Sequence, residues 1–152
     1  FMFNIWVDYP TFDEEVSIVK ATTGGSSHSV QNVMSAEEIV FFQQLVRKVP
    51  VPDSVIDYAV RLANSTRPGH ALAPSVTNDF INWGAGPRAS QYLVIGAKCH
   101  ALMSGKYSPD KEDVQAVATN VLRHRIVRNY KAEAERISTD YIIKQLMNSA
   151  NG

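Results

Sequence analysis

The chain has 152 residues, enough for one domain that hides about 70% of the surface its unfolded form exposes. It is 45% hydrophobic and 20% charged, with 15 Lys+Arg against 15 Asp+Glu, which argues against a disordered chain and against a strongly basic nucleic-acid module. A single cysteine, Cys99, excludes an internal disulfide and a multi-cysteine zinc site, and no apolar run approaches the ~20 residues that cross a bilayer.

The chain opens at Phe1, and residues 1–7 (Phe-Met-Phe-Asn-Ile-Trp-Val) read as a β-strand of aromatic and β-branched residues. A lone strand leaves its backbone groups unpaired. The expectation is therefore a fragment whose strand partners lie upstream, or an edge strand paired with another short segment of this chain. After Pro10 the pattern turns helical. Thr11 and Glu14 form a capping box, and Phe12, Val16 and Val19 share a face. This helix fades at Thr22-Thr23-Gly24-Gly25-Ser26-Ser27, which reads as a flexible stretch. Ser35 and Glu38 form a second box, and Ile39, Phe42, Val46 and Val49 make the stripe behind it. Pro50 and Pro52 stop that helix and start another, whose apolar face is Val55, Ile56, Ala59, Val60 and Ala63.

Arg67 to His70 reads as a loop, Val76 to Trp83 as a short helix and Gly84 to Pro87 as a turn. Pro87 suits the first position of a helix running to Ser104, where no N–H is needed. That helix is apolar on most sides and is expected to be central, with Gly96 permitting a close crossing and Gly105 ending it. Ser108-Pro109 opens a further helix with Val114, Val117, Ala118 and Val121 on one face and a basic end at Arg123, His124, Arg125 and Arg128. A last helix spans about Ser138 to Met147, and residues 148–152 are expected to fray. The fold class is mainly α, a helical bundle with one short N-terminal strand.

Chemistry is sparse. His28, His70, His100 and His124 show no metal-ligand spacing. Cys99 lies in the most apolar helix and reads as a buried, inert thiol. The acidic clusters Asp13-Glu14-Glu15 and Glu37-Glu38 sit in first turns, where negative charge is favoured anyway. No P-loop pattern occurs. The basic segment from Arg123 to Lys131 suits an acidic partner or a subunit contact, diluted by Glu133 and Glu135. The most informative stretch is Gly86-Pro87-Arg88-Ala89-Ser90-Gln91. Arg88 falls in a helix first turn, where a cation is unfavourable. Read from the residues alone, it is either a solvated or carboxylate-paired arginine, the more frequent case, or one matched to an anion at the helix N-terminus.

That stretch resembles the sensor-2 motif of AAA+ ATPases, specifically the MoxR family. Phe1-Met2-Phe3 with Val7-Asp8-Tyr9-Pro10 resembles the end of that family's ATPase core. Leu45 to Pro52 and Tyr58 to Leu62 resemble its lid helices, and Leu122 to Ile126, Asn129 and Ala132 to Glu135 its C-terminal segment. The resemblance covers almost the whole chain, in order. It implies residues 1–10 as strand and linker from an upstream α/β core, 11–147 as the helical lid and 148–152 as a tail. It implies ATP bound jointly with the core, Arg88 as the catalytic sensor-2 residue, and Gly86, Pro87, Arg88, Ala89 and Tyr92 as the nucleotide-binding residues of this chain. Mg²⁺ would be held by the core alone, and the fragment would not hydrolyse ATP by itself. Implied partners are the upstream core, neighbouring subunits of a homo-oligomeric ring, and a client or von Willebrand A-domain protein of a cytoplasmic, chaperone-like machine. The alternative is a stand-alone helical adaptor that binds proteins through the segment near Arg125.

Overall fold

The computed structural model describes residues 1–25 and 30–150. Ser26 and Ser27 of the stretch read as flexible, His28, and the last two residues of the expected tail lie outside them. Eight helices and one two-stranded sheet occur among the described residues. In chain order they are α1 (Phe12–Thr23), α2 (Ala36–Lys48), α3 (Asp53–Ser65), α4 (Ser75–Phe80), β1 (Ile81–Trp83), α5 (Pro87–Met103), α6 (Lys111–Leu122), β2 (Val127–Arg128), α7 (Tyr130–Ala134) and α8 (Thr139–Ser149). The mainly helical class is as the sequence indicates.

Local chemistry explains the helix starts. The Thr11/Glu14 and Ser35/Glu38 capping boxes both form, each satisfying two backbone donors. Asp110 and Asp113 make a third, so α6 begins after Asp110 rather than at Ser108-Pro109. Gly105 stops α5 with a φ of 74°, which a side chain would disfavour, while the Lys106 N–H returns to the Ala101 carbonyl. Lys106 holds the Asp110 carboxyl down to about 2 through a 2.8 Å ion pair.

The core lies between α3, α5, α6 and α8. The fifth helix packs most extensively on α6 and then on α3. Leu62, Leu93, Leu122, Ile142, Ile143 and Leu146 are fully buried there, each such side chain contributing about 1.5–3 kcal/mol of transfer free energy. The buried face of α3 is Val55, Tyr58, Ala59, Leu62 and Ala63, while the expected Ile56 and Val60 stay partly exposed. Close crossing at Gly96 occurs as expected. A Cβ there would lie 3.1 Å from Val117 and 3.3 Å from each of Met2 and Phe3.

The sheet is not where the sequence places a strand. Residues 1–10 form no regular element. With no strand beside them, they find partners on the helices: the Asn4 N–H donates to the Asn120 carbonyl at 2.8 Å. Instead β1 pairs antiparallel with β2, Ile81 opposite Arg128 and Trp83 opposite Val127. The expected helix from Val76 to Trp83 therefore ends at Phe80. Helices α1 and α2 bury no residue, so Phe12, Val19, Ile39 and Phe42 remain exposed.

Candidate functional site

The site forms where α3 ends and α5 begins. The last turn of α3 carries two buried hydroxyls. Thr66 accepts the Ala85 N–H at 2.8 Å and donates to the Ala63 carbonyl at 2.6 Å. The neighbouring Arg67 donates through Nε to the Ala85 carbonyl at 2.8 Å. Both backbone groups of Ala85 are thereby satisfied, and the turn is fixed to α3 before α5 starts. Gly84 makes this approach feasible, since a Cβ there would sit 2.3 Å from the Thr66 carbonyl oxygen and 2.8 Å from the Arg67 Cα. Gly84→Ala is expected to lower stability by about 2–3 kcal/mol through overpacking, measured as a shift of the urea midpoint. Gly86→Ala is the control, because a Cβ at Gly86 meets nothing within 4 Å.

From this anchored turn Gly86 and Pro87 launch α5, with Pro87 in the first turn as expected. Gly86 supplies no side-chain cap and the first turn holds no acidic residue, unlike α1, α2 and α6. The positive end of this helix thus has no carboxylate of its own first turn to offset it. Arg88 stands on it, exposed, with no hydrogen bond or ion pair among the described residues. The carboxylate-paired account of Arg88 is therefore excluded for the described residues, and the guanidinium fork is available to a ligand.

The other sequence-derived site residues are placed differently. Ala89 is fully buried in the core, where it seats the first turn of α5. Tyr92 is half-buried one turn beyond Arg88, with the Arg125 guanidinium 5.1 Å from its ring centroid. Burial pushes the Arg125 pKa down from its ordinary value, and the charge of Arg88 acts in the same direction. An open groove of about 730 Å³ runs along this face, lined by Arg88, Gln91, Tyr92 and Ile95 of α5, by Ile56 and Val60 of α3, and by Arg47. A second recess of about 380 Å³ lies under the turn, between Arg67, Pro68, Trp83 and Gly84 to Pro87.

The basic segment after α6 is not a free cationic patch. Arg123 pairs with Asp140 through two bonds of 2.7 and 2.6 Å, and Arg128 donates to the Ile137 carbonyl at 2.7 Å. Lys131 lies 3.5 Å from Asp79 and over the Phe80 ring. Arg125 donates to the carbonyls of Phe1, Met2 and Val121. Burial, followed by the neighbouring Arg125, lowers the His124 pKa. Cys99 is half-buried rather than buried, in an apolar groove between α2 and α5. Among the described residues no group of three His, Cys, Asp or Glu side chains suits a metal ion, and no helix is long and apolar enough to cross a membrane. Thr66, Gly84 and Arg67 escaped the sequence reading, although Gly84 stood in a recognised turn.

Known proteins are similar to this chain. The family described as AAA lid domain matches residues 74–146, from the residue before α4 to the middle of α8. The chain is 31% identical over 147 residues to "Chaperone MoxR1" of Mycobacterium tuberculosis, covering 97% of this chain and 39% of that protein. It is 28% identical to YeaC of Bacillus subtilis, covering 44% of it, and 33% identical over 82 residues to "Protein MoxR" of Paracoccus denitrificans, covering 24% of it. A crystal structure of a candidate ATPase from Cytophaga hutchinsonii superimposes with a TM-score of 0.85 at 29% identity, over 98% of this chain and 46% of that one. The chain thus spans less than half the length of each of these proteins.

Proposed function

We propose that this chain, which belongs to the MoxR family of AAA+ ATPases as its lid segment, closes over ATP and presents Arg88 to the nucleotide's phosphates. The observation that carries the reading is an exposed arginine with no hydrogen bond or ion pair among the described residues, on an uncapped helix N-terminus. Arg88 and the free end of α5 fit an anion: a planar fork of donors beside a positive helix terminus. Mg²⁺ is assigned to the domain that precedes the lid, and ATP supplies the phosphoryl group whose transfer to water the whole enzyme would catalyse.

The residues of this chain then act as follows. Thr66 and Arg67 hold the turn, Gly84 lets it approach α3, and Gly86-Pro87 direct α5 outward. Ala89 seats the first turn in the core, and Tyr92 continues the same face. Arg88 donates to oxygens on which charge grows during transfer, so its contact strengthens as the barrier is climbed. Loss of the terminal phosphate weakens that contact, which lets the lid turn relative to the core. In a ring of identical subunits such turning would move one neighbour against the next and drive chaperone-like maturation of a client protein, with a von Willebrand A-domain protein as partner in the cytoplasm.

The adaptor reading has less support, because the basic residues near Arg125 are engaged within the chain. The experiment is nucleotide binding by the full-length protein and by residues 1–152 alone. We expect ATP to bind the full-length protein and not the isolated lid. A folded full-length protein that binds no ATP would leave the adaptor as the better account.

A further inference from the structure

Arg125 is placed unlike its neighbours in the basic segment. Lys131 meets a carboxylate, Arg123 meets Asp140 and also reaches the Asn4 carbonyl at 3.5 Å, and Arg128 reaches a single carbonyl. The Arg125 guanidinium instead joins three separate parts of the molecule. It donates to the Val121 carbonyl at the end of α6, and to the carbonyls of Phe1 and Met2, the latter at 3.1 Å. It also lies over the ring of Tyr92 on α5. No carboxylate pairs with it among the described residues, although it is partly buried. Residues 1–4 are laid along the same seam. The Asn4 N–H bonds to Asn120, and Met2 and Phe3 close over Gly96. Tyr92 and Arg88 are four residues apart and therefore share one face of α5.

We propose that Arg125 is a positioning residue for Arg88, a clamp that ties residues 1–4 to the α5 face on which Arg88 stands. The proposal rests on the reading that Arg88 contacts the nucleotide. The opening segment is where chain motion outside the bundle would reach it first. Arg123 and Asn120 also hold Asn4, but the Arg125 fork alone among these joins that segment and α6 to the Tyr92 ring of α5, so Arg88 moves with them as one body. Without the clamp the opening segment can swing while α5 stays still, and Arg88 loses its register. Lysine is a poor replacement, because a compact ammonium lacks the planar fork that spans the Val121, Phe1 and Met2 carbonyls while lying flat over the Tyr92 ring.

The test uses the full-length protein with Arg125→Ala, Arg125→Lys, Arg88→Ala and the Arg88→Ala/Arg125→Ala double variant. Arg125→Ala is expected to lower kcat on the order of 10- to 100-fold, as for a displaced catalytic group, in a variant whose circular dichroism still shows a folded bundle. Arg125→Lys should recover little. The double variant should be no slower than Arg88→Ala alone, because Arg125 acts through Arg88. Independently of nucleotide, hydrogen exchange at the Asn4 amide should accelerate in Arg125→Ala. An unchanged kcat in Arg125→Ala, losses that multiply in the double variant, or an Asn4 amide that stays protected would overturn the clamp. If the alanine at 125 unfolds the protein, Tyr92→Leu removes the ring contact alone and should give a smaller loss that is again absent on the Arg88→Ala background. Unchanged hydrolysis in Arg88→Ala would sink the underlying reading, and the clamp with it. An Asn4 amide that still loosens in Arg125→Ala would then mark Arg125 as a structural tie only.

Discussion

Replacing Arg88 by alanine in the full-length protein is expected to cut ATP hydrolysis on the order of 100-fold, the effect of removing one preorganised donor from a charged transition state. Stability should hardly change. Arg88 is exposed and makes no hydrogen bond or ion pair among the described residues, so truncation removes no packing and leaves no buried group unpaired. It also removes a cation from a helix first turn, where the macrodipole opposes it, and away from its like-charged neighbour Arg125. If the contact strengthens mainly in the transition state, kcat and kcat/KM fall together. A rise in KM alone would mean that Arg88 binds ground and transition states equally. Arg88→Lys should recover part of the loss, since a point charge replaces a bidentate fork. Steady-state hydrolysis across an ATP titration, with circular dichroism to confirm folding, separates these outcomes. Equal hydrolysis by the alanine variant would make Arg88 a solvated arginine, and the lid would have to sense nucleotide elsewhere.

The largest stability effect is expected at Asp113, which is fully buried at the start of α6. Its carboxylate accepts from His100 Nδ1 at 2.7 Å, from Lys106 Nζ at 3.2 and 3.3 Å, and from the Asp110 N–H at 2.9 Å. These bonds join α5, the connection after it and the cap of α6, the two helices that share the most extensive packing. Asp113→Ala opens a cavity, strips the capping box and leaves the Asp110 donor without its acceptor. A loss of about 3 kcal/mol follows, the lower end for breaking a buried charged pair from one side. Asp113→Asn should cost nearly as much, because its amide turns a donor toward Lys106 or the Asp110 N–H, which can only donate. Urea unfolding followed by helical circular dichroism measures both. A change under about 1 kcal/mol would place the carboxylate among solvated surface pairs instead.

Elements with a local cause were legible in the sequence. The Thr11/Glu14 and Ser35/Glu38 boxes, Pro87 in a first turn and Gly105 past a helix end each act within a few residues, and each occurs in the fold. What depends on distant residues was not. Phe80-Ile81-Asn82-Trp83 continues a helical pattern, but Ile81 becomes strand because its partner, Arg128, lies far along the chain. The opening segment has strand composition, yet its backbone groups are met by Asn120 and Arg125, which no periodicity announces. On α3 the bundle selects Tyr58 and Leu62 over Ile56 and Val60, a rotation of the buried face set by α5 and α6. The site divides in the same way. Arg88 drew notice because its charge opposes the helix end it occupies, but its assignment to the nucleotide came from the resemblance to the MoxR sensor-2 motif. The Thr66 hydroxyl, the contact at Gly84 and the Arg125 fork exist only in three dimensions.

The attachment of the turn to α3 also separates two roles in the chain. Arg67 leaves α3 beside the Ala85 carbonyl, and Thr77 returns to the Ser65 carbonyl at 2.6 Å, so the excursion through Pro68 to Pro74 begins and ends at one place. Topologically it is a detour. Lengthening it adds only a slowly growing closure entropy, and none of that strain is passed to the first turn of α5. The molecule therefore has a stretch that can be lengthened at small cost, on the far side of the tie that fixes the turn before α5.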